Sequence, residues 1–390
     1  MRIAHYIHDL DGQGGIETYI ARLTDGLRAA GHEVLSFGLR GRTSAHRLHV
    51  RDEQDLYRQA RAHRVDVLHL HKAVTQRPPP DLRVLRTVHD NGAACPSGSR
   101  YLSRSQTPCN RTAGLPACLF GHYVDGCGSR RPASVQQNFR RLAANQRVLP
   151  TLPVLTVSQY LKDEMVALGY PDAQIRVMRS PAPDGPALPP PLPLDRPPRL
   201  LFLGRLVPEK GVDWLLRALV DVPAPVHLDI AGDGHARADL EAQARALGLN
   251  DRVTFHGWVS PPAVPDLLRA ARAVVVPSVW HEPAGLVPLE AAAYGRPSVV
   301  STVGGIPEYA TSDFALHVAP QDEPGLAATL GRLCTNAALA AAMGEAGHAR
   351  ARSTFPLSAF LHQHEQLYTA LTADVPNALY AALSPQPSGA

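Results

Sequence analysis

The chain has 390 residues, of which 45% are hydrophobic and 19% are charged, and its formal net charge is +4 at pH 7. This length is too great for one ordinary core and predicts two domains. The near balance of charge argues against a nucleic-acid-binding protein, and it leaves room for a local basic site that holds an anionic ligand.

The N-terminal sequence MRIAHYIHDLDG contains no apolar run long enough for a signal peptide, and no stretch approaches the roughly 20 apolar residues that span a bilayer. We therefore expect a cytoplasmic protein, with peripheral contact at the inner face of the membrane as an option. In that compartment the five cysteines argue for thiols or a metal site rather than a disulfide framework.

The first half of the chain alternates short apolar runs with helical patterns. The first strand, Arg2–His8, is followed by a glycine-rich turn and by a helix from about Ile16 to Ala30, which Gly31 is placed to end. Such alternation is typical of a parallel sheet covered by helices on both faces. Further strands are predicted at 33–39, 66–71, 83–89 and 153–158, and further helices at 53–63, 134–148 and 159–168.

A proline-dense segment, SPAPDGPALPPPLPLDRPP, divides the chain. Because it cannot continue a helix or a central strand, we assign 183–198 as a stiff linker after an N-terminal domain of residues 1–182. A second domain is assigned to 199–372 and a tail to 373–390. Strands of the second domain are predicted at 199–204, 226–232, 252–257, 273–278 and 297–301.

The stretch His281–Pro297, HEPAGLVPLEAAAYGRP, carries the sharpest functional signal. Glu282 follows a predicted strand, at the end where ligands bind in such sheets. A helix predicted to begin at Gly285 or Leu286 carries Glu290 on its second turn. The two carboxylates then face one cleft across a helix N-terminus, which suits a phosphate and a sugar diol. The structural alternative is an acidic helical turn that complements the helix dipole.

Two further motifs lie at strand ends. Arg205 and Lys210 flank the loop in FLGRLVPEKGVDWLLRAL, where two cations suit a departing diphosphate. The alternative is that both are solvated loop residues. Gly14 and Gly15 directly precede the first helix and let its backbone approach a phosphate or sugar. This turn is not a GxGxxG fingerprint, and a plain strand-to-helix turn is its alternative.

Together these three stretches resemble the family 4 glycosyltransferases of GT-B fold, and so do FHGWV at 255–259 and AGDG at 231–234. The resemblance covers about Met1–Tyr368. It implies an α/β GT-B fold, in which two Rossmann-like doubly wound parallel-sheet domains face a central cleft, with the acceptor on the first domain and the donor on the second.

The resemblance also implies an activity. Such enzymes transfer a sugar from a nucleoside-diphosphate sugar, with retention at the anomeric carbon and no catalytic metal. The acceptor hydroxyl would belong to a glycan, lipid-linked or small-molecule acceptor in glycan, cell-surface polysaccharide or glycoconjugate synthesis. The alternatives are a sugar-nucleotide epimerase or inverting transferase of the same fold, and a non-catalytic nucleotide-sugar-binding protein.

By the same resemblance, individual residues take roles in the cleft. Arg205 and Lys210 would bind the diphosphate. Glu290 would hold the ribose hydroxyls, and Glu282 would contact the hydroxyls of the donor sugar. The remaining donor contacts would come from Gly14 and Gly15 in the first domain, from Gly257 and Trp258 at the base, and from the backbone of Ala284, Gly285 and Leu286 at the distal phosphate or sugar.

His89, at the end of RVLRTVHD, matches a recurrent histidine in the first domain of this family and would contact the donor sugar or the reacting oxygens. The alternative is a structural histidine, since the chain has 18. We do not assign it as a general base. The favoured account has the leaving phosphate accept the acceptor's proton, while the protein supplies position and charge. Glu282 as a covalent nucleophile is a lesser alternative.

Residues 91–132 form an irregular insertion that contains four of the five cysteines. Four thiolates can close a tetrahedral zinc site and order a loop with little core of its own, and His122 is a substitute ligand. Because the spacings are not CxxC pairs, free thiols or two disulfides remain open. The cysteines are Cys95, Cys109, Cys118 and Cys127.

A basic cluster surrounds the helix that follows the insertion. This face would meet an anionic acceptor or an anionic lipid surface, and a solvated helix face is the alternative. Its members are Arg130, Arg131, Arg140, Arg141 and Arg147.

Overall fold

The computed structural model describes residues 1–12, 14–192, 197–222 and 225–373. Residues 193–196 of the expected linker and the expected tail from 374 onwards lie outside the described residues. All statements below concern the described part of the chain.

The first half forms a parallel sheet with helices on both faces, as the alternating pattern predicted. Its elements are β1 (Arg2–Asp9), α1 (Gly15–Ala29), β2 (Glu33–Arg40), β3 (Arg47–His49), α2 (Glu53–Ala62), β4 (Val67–Leu70), β5 (Val84–Val88), the short hairpin β6 (Tyr101–Leu102) and β7 (Thr107–Pro108), α3 (Leu115–Phe120), α4 (Pro132–Val148), β8 (Val154–Thr156), α5 (Gln159–Ala167) and β9 (Ile175–Val177). The described strands of the sheet run in the order β3-β2-β1-β4-β5-β8-β9, all in parallel.

The second half repeats this architecture. Its elements are β10 (Arg199–Leu203), α6 (Val212–Val220), β11 (His227–Ala231), α7 (Arg237–Ala246), β12 (Val253–Gly257), α8 (Val264–Ala270), β13 (Ala273–Val276), α9 (Leu286–Ala293), β14 (Ser298–Ser301), α10 (Ile306–Tyr309), β15 (Ala315–Val318), α11 (Glu323–Thr335), α12 (Ala337–Thr354) and α13 (Leu357–Thr372). The described strands run β12-β11-β10-β13-β14-β15, again all in parallel.

Every strand predicted from an apolar run is present, within two residues of its predicted ends. In the two large sheets the pattern missed β3, β9 and β15, which have three or four residues each and each include at least one residue that is not buried.

The last helix, α13, returns to the first half, although the sequence pattern assigned residues 199–372 to the second. Phe360 and Tyr368 are buried in the same apolar cluster as Ile3 and Tyr19, and the rings of Phe360 and Tyr19 pack edge to face at 5.0 Å. Helical periodicity shows that α13 buries one face, but it does not identify the sheet that covers this face.

The two halves also meet directly beside the cleft. The carboxylate of Glu308 on α10 accepts hydrogen bonds from the backbone N–H groups of Gln159 (2.8 Å) and Tyr160 (2.7 Å) at the start of α5. It also pairs with Arg179 at 3.0 Å. A carboxylate at a helix N-terminus is favourable because it satisfies free N–H groups and complements the dipole.

No single helix within the described residues has both the length and the apolar composition needed to cross a membrane. A bent pair, α11 with the α12–α13 segment, passes on those two criteria, and its two parts meet at 95°.

Candidate functional site

The loop between β13 and α9, residues 277–285, is here called the donor loop. The loop that carries Lys210 packs directly against it. Gly211 makes this packing possible, because its φ of +70° suits glycine and a Cβ there would lie 2.0 Å from the carbonyl oxygen of Pro277. The Trp214 indole N–H donates to the same carbonyl oxygen at 2.7 Å, which fixes the two loops together.

This packing places Lys210 on Glu282. The ammonium of Lys210 donates to Glu282 Oε1 at 2.8 Å, and the hydroxyl of Ser278 donates to the same oxygen. Both charged side chains are largely buried, with 19% and 13% of their surfaces exposed. The Lys210 Nζ also lies 5.6 Å from the centre of the Trp280 ring, within cation–π range. The sequence predicted both charged residues for the site, and the structure adds their direct contact.

Gly304, in the loop after β14, supports the backbone of Glu282 from behind. A Cβ at this position would lie 2.3 Å from the Glu282 carbonyl oxygen, and φ is +56°. The next residue, Gly305, donates its N–H to that carbonyl at 2.7 Å. Larger residues cannot approach so closely, so these glycines hold the donor loop in one position.

Two helix N-termini meet at the bottom of the cleft. Helix α9 begins at Leu286 with Gly285 as its N-cap, where the sequence placed it, and α1 begins at Gly15 with Gly14 as its N-cap. A Cβ at Gly15 would lie 2.9 Å from Leu286 Cδ1, so the helix starts nearly touch. Free N–H groups and partial positive charge therefore converge from both halves, which suits a phosphate.

Glu290, one turn into α9, faces Arg22 of α1 across a small cavity that Gly15 also lines. Burial raises the pKa of the Glu290 carboxyl to about 7, and the charge of Arg22 opposes this rise. The guanidinium of Arg22 also donates to the Pro181 carbonyl oxygen at 3.1 Å. A carboxyl with this pKa changes its charge near neutral pH.

Three other predicted residues lie at the carboxyl ends of the second sheet. Arg205 follows β10 and is exposed to solvent. Gly257 ends β12, and its carbonyl accepts the Gly232 N–H at 2.8 Å, which joins two neighbouring strand ends. Trp258 is 59% exposed next to it. These positions border the same side of the sheet as Lys210, with a flat aromatic surface open to a ligand.

His89 is buried, with 8% of its surface exposed. Its Nε2 shares one proton with His71 Nδ1 at 2.9 Å, and His71 Nε2 shares another with His5 Nδ1 at 3.0 Å. Burial lowers the pKa of His89 to about 3, with Arg86 adding to the effect, so the ring is neutral at physiological pH. Only Nδ1 of His89 is left to meet a ligand.

His5, His69 and His71 were not predicted from the sequence, and one ring nitrogen of each lies within 4.8 Å of the other two. The available signal was the occurrence of histidines within otherwise apolar strands. His69 bonds Tyr368 Oη and Thr87 Oγ1 through its two nitrogens, at 2.7 and 2.6 Å. His71 also uses both nitrogens, so neither His69 nor His71 has a nitrogen left for a metal, although His5 Nε2 has no hydrogen-bond partner within the described residues.

A second missed residue, His281, links the donor loop to the first half. Its backbone carbonyl accepts from Asn91 Nδ2 at 2.8 Å, and its Nε2–H donates to Asn110 Oδ1 at 2.7 Å. Its Nδ1 accepts the Gly304 N–H at 3.2 Å, and its ring stacks on Tyr160 at 5.4 Å. Burial lowers the pKa of His281 to about 4, which agrees with this neutral, fully bonded ring.

The insertion is an ordered unit with the hairpin β6–β7 and a helical run from Leu115 to Asp125. Tyr101 is buried in the apolar core of the second half, and Gln321 of that half donates to the Gln106 carbonyl oxygen at 2.9 Å. The insertion therefore bridges the two halves.

The four cysteines of the insertion and His122 all line one cavity of about 20 Å³, and all four thiols are free. Burial raises the pKa of the Cys118 and Cys127 thiols, that of Cys127 to about 11.

A cavity of about 1520 Å³ opens beyond the carboxyl ends of β1, β4 and β5 in the first half. The predicted basic cluster divides here: Arg140, Arg141 and Arg147 line this cavity, whereas Arg130 and Arg131 border a separate open pocket beside the insertion. Acidic side chains line the large cavity as well, so its walls are mixed in charge and polar. They include Glu17, Asp52, Glu53 and Asp90.

The family match with known proteins lies in the second half of the chain. Residues 188–350 match the family model "Glycosyl transferases group 1". The chain is 43% identical over 111 residues to an uncharacterized glycosyltransferase of Methanocaldococcus jannaschii, which is 28% of each chain. It is 35% identical over 178 residues to a glycogen synthase of Mycobacterium tuberculosis, which is 45% of this chain and 43% of that one. The chain thus spans less than half the length of these curated relatives.

Solved structures match over nearly the whole chain. Sucrose-phosphate synthase from Thermosynechococcus elongatus superposes with a TM-score of 0.74 at 23% identity, over 96% of this chain and 100% of that one. Anabaena HepE, solved in complex with UDP-glucose, gives 0.68 at 17% identity, over 95% and 100%. At such identities the likeness shows the fold alone. The chain therefore has the GT-B fold that these structures share, and its residues 188–350 are similar to the glycosyl transferases group 1 model.

Proposed function

We propose that the protein is a retaining glycosyltransferase of the hexosyltransferase type, which moves a sugar from a nucleoside-diphosphate sugar to an acceptor hydroxyl. The observation that carries this proposal is the contact between Lys210 and Glu282 beside the start of α9. It sets a cation, a carboxylate and a helix N-terminus around one point of the cleft. The group 1 domain and the family 4 resemblance of the same residues support it.

In this proposal the two cations of the β10 loop, Lys210 and Arg205, stabilise the charge that grows on the departing diphosphate. The N–H groups at the starts of α1 and α9 add to that effect. Glu282 orients the donor sugar, since Lys210 and Ser278 hold its carboxylate in place. A carboxylate so neutralised is a weak nucleophile, which favours proton transfer to the leaving phosphate over a covalent intermediate.

The proposal assigns the ribose, the base and the phosphates to further residues of the cleft. Glu290 binds the ribose diol in its ionised form, and the exposed ring of Trp258 with the backbone at Gly257 contacts the base. Gly14 and Gly15 bring the first half to the phosphates. His89, as a neutral imidazole, donates or accepts one hydrogen bond through Nδ1 and does not act as a general base at neutral pH.

The acceptor is proposed to enter the 1520 Å³ cavity of the first half, whose lining includes His71, directly bonded to His89, and the arginines of α4. The guanidinium of Arg147 already donates to the Thr75 carbonyl at 2.9 Å and that of Arg141 to the Pro96 carbonyl at 3.0 Å, so both side chains are held along the cavity wall. This lining suits a polar acceptor that carries an anionic group, such as a phosphorylated or acidic glycoconjugate.

The stereochemistry of the product tests the retaining assignment. We expect an α-linked sugar nucleotide to yield an α-glycoside, because the incoming hydroxyl and the leaving phosphate share one face of the sugar. A thermal-shift panel of nucleoside diphosphates and sugar nucleotides first identifies the donor, since a ligand that binds only the folded state raises its apparent stability. Proton NMR of fresh product then reads the anomeric configuration, and a β-glycoside contradicts the proposal.

The fate of the donor separates the two remaining alternatives, the binding protein and the epimerase. A non-catalytic binding protein binds the sugar nucleotide and neither transfers nor hydrolyses it. An epimerase releases a changed free sugar or sugar nucleotide in the absence of any acceptor. Mass spectrometry and NMR of the donor after long incubation therefore distinguish both from a transferase.

A peripheral membrane contact is a further part of the proposal. The exposed arginines beside the insertion, Arg130 and Arg131, would attract anionic lipid, with each basic residue contributing about 1 kcal/mol near such a surface. We expect co-sedimentation with vesicles that contain anionic lipid, weakened in Arg130→Ala/Arg131→Ala and by high salt. Equal sedimentation with neutral and anionic vesicles would favour a plain solvated face.

A further inference from the structure

The insertion holds a cluster of metal-binding side chains that the transfer reaction does not use. Cys95, Cys109, Cys118 and Cys127 are separated by 14, 9 and 9 residues in the sequence, yet the fold brings all four to one small cavity. The fifth cysteine of the chain, Cys334, is buried in the core of the second half. The convergence of four thiols in a segment with few apolar residues calls for a cause other than packing.

His122 supplies an independent observation at the same cavity. Its side chain is completely buried, and its Nδ1 lies 3.1 Å from the Ser129 carbonyl oxygen. A carbonyl only accepts, so Nδ1 carries the proton and Nε2 presents a lone pair. Within the described residues this buried Nε2 has no hydrogen-bond partner, which is costly unless something binds it. Metal-ligating histidines are oriented in this way, by a backbone carbonyl on the other ring nitrogen.

The local backbone directs these donors towards one another. Cys118 and His122 are four residues apart on the helical run Leu115–Asp125, so they share a face. The Cys127 N–H donates to the Gly121 carbonyl at 3.0 Å. A Cβ at Gly121 would lie 3.1 Å from Cys127 Sγ, so the absence of a side chain there leaves room for this thiol.

We propose that the insertion binds one structural zinc ion through four of these five donors, the four thiols and His122 Nε2. Thiolate and imidazole are the ligands of tetrahedral structural zinc sites. In the described structure no three of the five donor atoms lie within 4.8 Å of one another. Binding therefore requires side-chain rotations that close the cavity around the ion and release the thiol protons.

The ion would fix the part of the insertion that touches the donor loop. The Cys95 N–H donates to the Asn91 carbonyl at 2.7 Å, and the Asn91 side chain donates to the carbonyl of His281. Cys109 directly precedes Asn110, which accepts from the His281 ring. Cys95 and Cys109 thus lie next to Asn91 and Asn110, which hold His281. Zinc bound by these cysteines would order the contact between the insertion and the donor loop. The metal site itself does not depend on the proposed transferase activity.

Metal analysis of the full chain tests this inference. Protein purified under reducing conditions without chelator should contain one zinc per chain. The double variant Cys118→Ser/His122→Asn should lose it, because removing two of five donors leaves only three, whichever four bind the ion. Cys334→Ser, the matched control outside the cavity, should keep one zinc per chain.

A second measurement covers the case in which the double variant fails to fold. Wild-type protein stripped of zinc and supplied with Co²⁺ should develop a thiolate-to-cobalt charge-transfer band, which zinc then displaces. Wild-type protein that contains no zinc and gives no such band overturns the inference. So does a double variant that is folded and retains a full equivalent of zinc.

Discussion

We expect Lys210→Ala to lower turnover by more than tenfold while the protein stays folded. In the proposed mechanism Lys210 acts on charge that develops only as the diphosphate leaves, so its loss weakens binding of the transition state more than of the donor. Each tenfold loss corresponds to about 1.4 kcal/mol of transition-state stabilisation. Initial rates with the donor identified by thermal shift measure the effect, and the melting curve confirms that the variant is folded.

Lys162→Ala provides the matched control. Lys162, on α5, forms an ion pair with Asp172 at 3.0 Å and lines neither the 1520 Å³ cavity nor the cavity at Glu290, and its side chain is buried to a similar extent as that of Lys210. We expect nearly wild-type turnover from this variant. A folded Lys210→Ala protein with normal rates removes the lysine from the mechanism, and equal losses in both variants indicate a general effect on stability.

Lys210→Ala also removes one of the two hydrogen bonds that hold the Glu282 carboxylate. In the wild type this carboxylate is bonded by both Lys210 and Ser278, and the variant leaves it with the hydroxyl alone. If the carboxylate then rotates away from the donor sugar, KM rises together with the fall in turnover. Glu282→Gln separates the two effects, because it keeps a hydrogen-bonding group at the sugar and removes the charge that holds Lys210.

The sequence predicted the fold because its signals are local. Apolar runs such as Ala273–Val276 are completely buried, and each is followed by a helical pattern. Such a run identifies a strand wherever it lies in the chain. The partner of α13 was not predictable in this way, since Phe360 and Tyr368 meet residues more than 300 positions earlier in the chain. A buried face can be inferred from periodicity, but the surface that covers it depends on the complete fold.

The candidate site shows the same limit. Lys210, Glu282 and Glu290 are recognisable because charged residues stand beside strand ends and helix starts. Their partners were missed because they come from distant segments: Arg22 from α1 opposes Glu290, and Asn91 and Asn110 hold His281. Asparagine and histidine occur in many loops, so neither has a local pattern that marks such a contact. The four cysteines, by contrast, were predicted to come together because they are concentrated in one insertion, and they line one cavity.

In the proposed function, the Glu290 carboxyl serves donor binding at a cost to stability. Burial raises its pKa from 4.5 to about 7. Between about pH 4.5 and 7 the folded chain keeps a proton that the unfolded chain has released, so the stability contributed by this group falls as the pH rises through that window. Above pH 7 the carboxyl is ionised in both states, and the full penalty, at most about 3 kcal/mol, remains.

We therefore expect Glu290→Gln to be more stable than the wild type at pH 8 and nearly equal to it at pH 5. The gain should be larger at pH 8 by about 1–2 kcal/mol, less than the full penalty because the cavity is partly open to solvent. Arg22 keeps its bond to the Pro181 carbonyl in the variant. Urea unfolding at both pH values measures the difference, with the exposed Glu345→Gln as control.

Donor binding should move in the opposite direction. A carboxylate accepts two hydrogen bonds from the ribose diol, whereas glutamine replaces one acceptor with a donor, so the affinity for the nucleotide should fall about tenfold. Wild-type affinity for the nucleotide should increase as the pH is raised through about 7, because the diol binds the ionised carboxyl, and this pH dependence should vanish in Glu290→Gln.

Equal stability differences at pH 5 and pH 8, together with unchanged nucleotide binding, would place Glu290 outside the donor site. A stability gain confined to high pH with weakened binding is the result expected of a carboxylate kept in an unfavourable position because the donor needs it there.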